Sequence, residues 1–293
     1  MISIVIRTLN EARYLAQALE ACRKQVDAGP VEIVIVDSGS TDETLKIAES
    51  FDCKIVHIRK DEFSFGRSLN LGCAAAQGEF LVFISGHCVP STRDWLKNLV
   101  EPLRRGTAAY TYGRQVGGEA SRFSETRLFL KYFPESSRIP QEGFFCNNAN
   151  AALLKSQWAE HPFDEELTGL EDMDLAKRLW NRGQKIAYCA DAPVYHYHHE
   201  QWKTVRRRYE REAIALQKIM PEIHVSFWDF IRYYLSAVFM DFGAAIENRC
   251  FWDKCGEILL FRLMQFWGSY RGNHEHRKLS RMAKEVYFYP KGF

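Results

Sequence analysis

The chain has 293 residues, of which 46% are hydrophobic and 26% charged, as in an ordinary folded globular protein. This composition excludes collagen, coiled coil and disorder as the main architecture, and a net charge of +2 argues against an electrostatic nucleic-acid binder. The charge is uneven, because residues 1–200 hold 23 basic and 27 acidic residues whereas residues 201–293 hold 16 and 10.

Short apolar runs alternate with helical patterns at the start of the chain. Strands are predicted at 2–6, 31–36, 54–58 and 80–84, and helices at 11–24, after residue 41 and at 68–76. Single helices between strands indicate βαβ units and a mostly parallel sheet flanked by helices, an α/β fold. In such sheets ligands bind beyond the carboxyl ends of the strands, where Asp37 and the segment 85–88 are expected.

The rest of the chain is less regular until it becomes helical. Residues 106–143 predict strand fragments and loops, residues 169–183 a helix with an acidic start, and 185–188 a strand. From Trp202 onward the pattern is helical, with thirteen aromatic residues between Phe227 and Tyr270 that we expect to lie mostly in a core. The weakly polar stretch 233–246 is too short to span a bilayer.

The cysteines and the first residues of the chain indicate the cellular compartment of the protein. Eight cysteines are present without a Cys-x-x-Cys pair, which argues against a zinc ribbon and for reduced thiols. The opening apolar run stops at Arg7, so we expect no secretory signal. A cytoplasmic protein is predicted, with attachment to the inner face of a membrane as a further expectation.

Six segments, taken in order, resemble the family 2 glycosyltransferases with a GT-A fold. They are TLNE at 8–11, VIVDSGSTDET, FSFGRSLNLGCAAAQGEFLVFI, CNNANAAL, GLEDMDLAKRL and VYHYHH. The resemblance implies a GT-A domain at 1–200 and a C-terminal helical, aromatic and basic region at 201–293. It also implies an inverting enzyme that moves a sugar from a nucleotide-sugar donor to a hydroxyl of a glycan or lipid-linked glycan, as in surface polysaccharide assembly.

The resemblance implies a donor pocket at the ends of the first strands. Asp37 would accept from the base, Gly39 would let the backbone come close, and Arg67 and Asn70 would face the donor from one side of a helix. Alternatives remain open: Asp37 in a plain turn, Glu11 as a first-turn helix acid and Arg67 on a solvated face. The predicted donor-binding residues are Thr8, Glu11, Asp37, Gly39, Arg67, Asn70 and Ser85.

One segment departs from the family pattern. Members usually carry Asp-x-Asp after the fourth strand, where this chain has Ser85-Gly86-His87. Without carboxylates the oxygen coordination of Mg²⁺ is weakened, so two expectations stand. Either His87 helps to bind a divalent metal, Mn²⁺ or Mg²⁺, with imidazole favouring Mn²⁺ or Zn²⁺, or the site acts without metal. His196 and His198, which point the same way in an extended segment, are predicted at the metal or phosphate, or else in a solvated loop.

The acidic helix start is predicted to carry the chemistry. By resemblance Asp172 is the catalytic base that takes the proton of the acceptor hydroxyl. Glu171, Asn148 and Asn150 are predicted to bind the acceptor or the sugar. The alternative is that these acids merely favour the start of a helix through its dipole.

The sequence of the C-terminal region is compatible with more than one surface for it to contact. Aromatic and basic residues in helices suit a membrane surface, a helical cap on the sheet or a homodimer face. Two other functions are also weighed: a nucleotidyltransferase, which would need a Gly-rich phosphate loop that residues 7–14 lack, and a catalytically inactive nucleotide-binding scaffold. No nucleic-acid partner is expected, because acids interrupt the arginines at 206–211.

Overall fold

The computed structural model describes residues 1–119, 121–274 and 286–288. They form two compact units. The first unit contains residues 1–119, 129–166 and 171–197, and the second contains residues 121–128, 167–170 and those from 198 onward. The predicted division at residue 200 lies close to this break. The two short segments that join the second unit from earlier in the chain were not predicted.

The first unit is built on one eight-stranded sheet. Its strands are Ile2–Thr8 (β1), Val31–Asp37 (β2), Lys54–His57 (β3), Phe80–Ser85 (β4), Cys88–Pro90 (β5), Tyr110–Gly117 (β6), Asn150–Leu154 (β7) and Ile186–His196 (β8). The helices up to residue 181 are Ala12–Arg23 (α1), Thr44–Ser50 (α2), Phe65–Ala75 (α3), Trp95–Arg104 (α4), Phe123–Tyr132 (α5), Lys155–Glu160 (α6) and Glu171–Asn181 (α7).

The strands lie in the order β3-β2-β1-β4-β7-β6-β8-β5. The pairs β1–β2, β1–β4, β2–β3 and β6–β8 are parallel, whereas β4–β7, β6–β7 and β5–β8 are antiparallel. Four of the seven pairs are thus parallel, which confirms the predicted α/β class. The register sets Thr8 beside Asp37 and Arg7 beside Ser85, so the ends of β1, β2 and β4 meet at one edge.

Side chains of neighbouring positions enter different cores on the two faces of the sheet. Ile4 and Ile6 of β1 join a cluster with Ile35, whereas Val5 joins another with Val34. This alternation is the period of two that a strand imposes on its side chains. Both faces of the inner strands are therefore covered, as is typical of parallel strands built from continuous apolar runs.

The structure corrects two predicted segments. The strand predicted at 185–188 continues to His196, because β8 pairs with β6 along its length and with β5 at its end. The region 106–143, predicted as strand fragments and loops, contains β6 and the helix α5. The helical signal in that stretch is weak, because only Phe129 and Phe133 are core residues that lie one helical turn apart.

The second unit is helical where it is described from residue 198 to 274. Its helices are Trp202–Ile219 (α8), Phe227–Glu247 (α9) and Phe251–Asn273 (α10). A buried ion pair joins α9 to α10, since the Arg262 guanidinium donates to both oxygens of Asp241 at 2.7 and 3.0 Å. Ser124 Oγ donates to the same carboxylate at 2.6 Å. Asp241 thus links the segment 121–128 to α9 and α10 within the second unit.

The aromatic residues of α9 and α10 are more exposed than predicted. Of the thirteen rings between residues 227 and 270, only Phe230 and Phe261 are buried, and Trp228 and Trp252 are 78% and 87% exposed. The expectation that most of them form a core is wrong, because rings that lie on every side of a helix cannot all face the neighbouring helices. Within the described residues no helix combines the length and apolarity that crossing a membrane requires.

Asn150, predicted to bind a sugar or acceptor, instead connects several elements through hydrogen bonds inside the core. It is fully buried, and its Oδ1 accepts from Trp95 Nε1 at 2.9 Å. Its Nδ2 donates to the carbonyl oxygens of Arg114 at 3.0 Å and Ala192 at 2.8 Å. The amide thus links α4, β6 and β8 to β7. With its hydrogen bonds made inside the sheet, Asn150 has a structural role.

We expect Asn150→Ala to lower the free energy of unfolding by about 2–4 kcal/mol, because Trp95 Nε1 and the carbonyl groups of Arg114 and Ala192 lose their partner. Urea denaturation measures the change. Asn98→Ala is the matched control, since its amide donates to Asp191 O at 2.7 Å near the surface, and it should cost less than about 1 kcal/mol. Equal costs for the two variants would contradict the assignment.

Candidate active site

Asp37 ends β2 and closes a tight turn at the edge of the sheet. Its carboxylate accepts from Thr8 Oγ1 at 3.0 Å and from the backbone N–H groups of Gly39 and Ser40 at 2.9 Å each. Ser40 Oγ donates a further hydrogen bond to it. Gly39 has φ 94°, a left-handed conformation that glycine adopts without strain. The predicted residues Thr8, Asp37 and Gly39 therefore lie together.

The loops after β1 and β2 are fastened to each other. Asn10, at φ 57°, donates its N–H to Ser40 Oγ at 2.9 Å and accepts from the Thr41 N–H at 2.8 Å. The Glu11 N–H donates to Thr44 Oγ1 at 2.8 Å. These bonds fix the backbone from which the Glu11 side chain extends.

Glu11 and His87, predicted at the donor and at the metal or phosphate, contact each other. Glu11 Oε1 lies 2.9 Å from His87 Nδ1, and the His87 ring stacks on that of His196 with 5.0 Å between centroids. The antiparallel pairing of β5 with β8 makes this possible, since it sets Cys88 opposite His196. Ser85, the last residue of β4, begins the turn that carries His87.

Gln115 orients the second histidine, His196, and was not among the predicted site residues. Its Oε1 lies 2.7 Å from His196 Nδ1, and its Nε2 donates to Asn147 Oδ1 at 3.0 Å. Gln115 is buried in β6. A polar residue within a strand was the available signal, but no motif surrounds it.

Asp172, the predicted base, is buried at the start of α7. Its Oδ2 accepts from the Asn148 N–H at 2.7 Å, and its Oδ1 accepts from the Met173 N–H at 2.7 Å. Asn148 Oδ1 accepts from the Tyr110 hydroxyl. Asn148 Nδ2 is buried without a hydrogen-bond partner among the described residues. Asp172 and Asn148 thus form a pair, and the residue whose backbone N–H holds the carboxylate carries a side-chain amide N–H group still to be satisfied.

Burial raises the pKa of Asp172 to about 7, and the neighbouring Glu171 carboxylate adds to this effect. The Asn148 and Met173 N–H groups and the Arg7 charge act in the opposite direction, since they favour the ionised form. A carboxyl that ionises near neutral pH is suited to accept a proton and to release it again. Such a perturbed acid beside the sheet edge is typical of a functional site.

Arg7 was not among the predicted site residues, although it is the one charge in the first apolar run. Its Nη1 lies 3.0 Å from Glu171 Oε1 and also donates to Phe65 O at 3.3 Å. Glu171, predicted to bind acceptor or sugar, is therefore held in a partly buried ion pair. Because Thr8 bonds to Asp37, two consecutive residues of β1 join the Asp37 turn to the start of α7.

Asn70, predicted to bind the donor, is occupied elsewhere. Its Nδ2 donates to Phe163 O and Glu165 Oε1 at 2.9 Å each, and its Oδ1 accepts from Trp158 Nε1 at 2.9 Å and the Phe163 N–H at 3.0 Å. The amide has no hydrogen-bonding capacity left for a nucleotide, so its role is structural. Arg67, on the same helix, lies 3.8 Å from Glu165.

His198 belongs to the second unit, where it meets acidic residues. Its Nδ1 lies 2.8 Å from Glu125 Oε1, and Arg208 pairs with both Glu125 and Glu200. Burial alone would raise the pKa of Glu125, but His198 and Arg208 lower it to about 2. These carboxylates and His198 have metal-binding chemistry, yet Arg208 already pairs with both acids and offsets one of their two negative charges.

Comparisons with known proteins identify the family of the chain. The model of the family "Glycosyl transferase family 2" matches residues 3–160. The O-antigen chain rhamnosyltransferase RfbN of Salmonella typhimurium is 28% identical over 222 residues, which cover 72% of this chain and 69% of that protein. The O-antigen chain rhamnosyltransferase WbaN of Salmonella anatum is 30% identical over 202 residues, which cover 65% and 63%. The chain thus spans about two thirds of their length.

A solved structure shows the same fold. The mannosyltransferase PcManGT from Pyrobaculum calidifontis, in complex with GDP-Man and Mn²⁺, aligns with a TM-score of 0.61 and 17% identity. The alignment covers 99% of this chain and 88% of that chain. At this identity the likeness establishes the GT-A fold.

We expect Arg7→Met to raise the pKa of Asp172 by roughly half a unit to one unit, because a cation that favours the ionised carboxylate is lost. Titration of the carboxyl carbon by ¹³C NMR measures the pKa, with Asp172→Asn to assign the signal. Arg13→Met, which removes an exposed arginine of α1, should leave the value unchanged. A lowered or unaltered pKa in Arg7→Met would disprove the electrostatic role.

Proposed function

Since the chain belongs to glycosyl transferase family 2 and is a glycosyltransferase, we propose that it transfers one sugar from a nucleotide-sugar to an acceptor hydroxyl with inversion. The observation that carries the proposal is Asp172. It is a buried carboxyl with a pKa near 7, held at the sheet edge where the Asp37 turn also lies.

In the proposed reaction the Asp172 carboxylate takes the proton of the acceptor hydroxyl. The acceptor oxygen then forms a bond to the anomeric carbon, and the bond from that carbon to the donor phosphate breaks. The electron pair leaves on the phosphate oxygen, and the proton stays on Asp172. One base and no protein nucleophile are needed, so the anomeric configuration inverts.

Asn148 supports the acceptor side of this proposal. Its Nδ2 is buried without a partner among the described residues, and its N–H fixes Asp172. A sugar or acceptor hydroxyl that accepts from this amide would satisfy a group that is costly to leave unbonded. The same hydroxyl would then lie near the base, which is the geometry that proton transfer requires.

The Asp37 turn supports the donor side. Its four hydrogen bonds hold the carboxylate at the end of β2. The Ser40 hydroxyl can rotate away and so open one acceptor position to an N–H group of a base. Gly39 leaves the backbone accessible, because it carries no side chain. We infer that the nucleotide lies across Asp37 and Thr8, with its phosphates directed to the turn at Ser85.

Members of the family usually hold a divalent metal beside the phosphates, and the donor set here fits such an ion. His87 and His196 offer imidazole nitrogens, which suit Mn²⁺ or Zn²⁺ better than Mg²⁺. Their Nδ1 atoms are held by Glu11 and Gln115 at 2.9 and 2.7 Å, the arrangement common for metal-binding histidines. When bound, the ion supplies positive charge opposite the departing phosphate.

The two Salmonella relatives, both O-antigen chain rhamnosyltransferases, indicate the class of product. We infer that this enzyme acts in surface polysaccharide assembly, and a rhamnosyl donor is the first to test. The acceptor is then a growing glycan, which the family often uses in lipid-linked form.

An exposed apolar face on α9 supports the proposal that the enzyme acts at a membrane surface. Trp228, Leu235, Phe239 and Ile246 are exposed and follow a spacing of seven, four and seven residues, which places them along one side of a helix. Arg232 is exposed within the same stripe. Aromatic and aliphatic groups with a nearby cation are typical of helices that lie in a lipid interface. We infer that this face, the α9 stripe, docks on a bilayer that carries the acceptor.

We expect Asp172→Asn to abolish sugar transfer while nucleotide binding persists, because the amide cannot take the proton. Thermal shifts with UDP, GDP, dTDP and CMP, each with and without Mn²⁺, identify the nucleotide, and transfer is followed with its sugar. The raised pKa means that the stability contributed by the protonated carboxyl is present below about 3.8 and is lost as pH rises from there to about 7. The variant should therefore melt several degrees higher than wild type at pH 8 and close to it at about pH 4.

Asp174→Asn is the control, since it lies on the same helix and pairs with Arg178 at 2.8 Å. It should keep most of the transfer activity. Turnover retained in Asp172→Asn would refute the base assignment, and a wild type that turns over no donor would favour the inactive scaffold.

For the α9 stripe we expect wild-type protein to float with phosphatidylethanolamine–phosphatidylglycerol vesicles at low salt. Trp228→Ser with Phe239→Ser should reduce the floated fraction at least fivefold, because both side chains insert apolar area. Leu130→Ser, an exposed leucine of the first unit, is the control and should float like wild type. A wild type that stays at the bottom of the gradient, or dimerises through these residues in solution, would overturn the proposal.

A further inference from the structure

The carboxylate that the turn after β4 lacks is supplied from another loop. Ser85-Gly86-His87 stands where the family usually carries Asp-x-Asp, so the turn itself has no acid. The Glu11 side chain, from the loop after β1, reaches His87 Nδ1 at 2.9 Å. Because β1 and β4 are adjacent parallel strands, with Arg7 beside Ser85, their loops emerge side by side.

Gly86 is part of this arrangement. A Cβ built on Gly86 would lie 2.8 Å from Glu11 Cγ and 3.1 Å from its Cβ. Such distances are too short for real carbon contacts, so any larger residue would push the Glu11 side chain aside. The glycine of the Ser-Gly-His turn thus makes room for the acid that contacts the histidine.

Resting on the proposed function, we propose that Glu11 is a positioning residue that makes His87 a nitrogen ligand for the divalent ion at the donor phosphates. Glu11 accepts a hydrogen bond from the Nδ1–H group of His87, so the lone pair of the neutral imidazole lies on Nε2. The carboxylate also adds negative charge behind the ring and makes Nε2 a stronger donor. A glutamate, a histidine and a metal in series replace the direct carboxylate ligands of the family pattern.

His196 is oriented in the same way, but by the neutral side chain of Gln115. Gln115 Oε1 lies 2.7 Å from His196 Nδ1, and the Gln115 amide is itself anchored on Asn147. Both rings, stacked at 5.0 Å, are thus oriented by an oxygen on the same nitrogen. The pair predicts a site with a preference for Mn²⁺ or Zn²⁺ over Mg²⁺, since imidazole nitrogen suits these ions better.

Isothermal titration of the full chain with MnCl₂ tests the proposal, with and without the nucleotide that gives the largest thermal shift. Glu11→Gln keeps an oxygen for Nδ1 but removes the charge, and it should weaken Mn²⁺ binding roughly tenfold. Glu11→Leu removes both and should weaken it by up to about 100-fold. Gly86→Ala should resemble Glu11→Gln, because it displaces the same side chain without changing a polar group.

Two controls match these changes. Glu43→Gln removes an exposed carboxylate near the same loops, and Gly243→Ala adds a methyl where nothing lies within 4 Å. Both should bind Mn²⁺ like wild type. Pulsed EPR of bound Mn²⁺ should show ¹⁴N coupling in wild type and Glu11→Gln and a reduced coupling in His87→Ala. That readout follows direct ligation and does not respond to a general loss of stability.

Wild-type Mn²⁺ affinity in both Glu11→Gln and Gly86→Ala would overturn the role of Glu11. Transfer that continues undiminished in EDTA, with no Mn²⁺ bound by wild type, would overturn the inference and leave the proposed function standing. Conversely, Mn²⁺ binding as described together with no transfer from any nucleotide-sugar would refute the proposed function alone.

Discussion

The site depends on a carboxyl group that the fold buries where it is costly to ionise. Asp172 follows Glu171 at the start of α7, and one arginine, Arg7, contacts the pair through Glu171. Burial and the adjacent negative charge oppose ionisation, while two backbone N–H groups favour it. The helix cannot turn the group out to water, because Leu175 and the residues around it are fixed in the core. The result is an acid balanced near neutral pH.

β1 connects this acid to the rest of the edge. Arg7 contacts the acidic pair, and Thr8 contacts Asp37 on the adjacent strand. Successive residues of a strand point to opposite faces, so one strand end serves two neighbours without crowding. The Asp37 turn is thus held by the register of β1 with β2, and the start of α7 is held by the ion pair of Arg7 with Glu171. The proposed transfer of a sugar from a nucleotide to a hydroxyl needs both sides of the site to be held in place.

The sequence predicted the features that depend on residues close together in the chain. The β-branched runs gave the strands, and the motifs gave Asp37, His87 and Asp172, all of which lie at the sheet edge or in the turn beside it. It did not predict partners that are distant in the chain. Gln115 and Arg7 carry no motif, and Asn70 and Asn150 look like polar site residues until the structure shows which backbone groups they satisfy. Hydrogen-bond saturation is a property of three-dimensional neighbours, and spacing along the chain does not encode it.

The contact between Glu11 and His87 depends on the pairing of β1 with β4. Because these strands are parallel neighbours, the loops that follow them emerge side by side. The Glu11 side chain reaches across the turn after β4, and Gly86 leaves the space for it to do so. In the metal site that we propose, His87 lies between that acid and the donor phosphates. A carboxylate would there act through an imidazole instead of ligating directly, which favours Mn²⁺ or Zn²⁺ over Mg²⁺ and keeps one negative charge at the site.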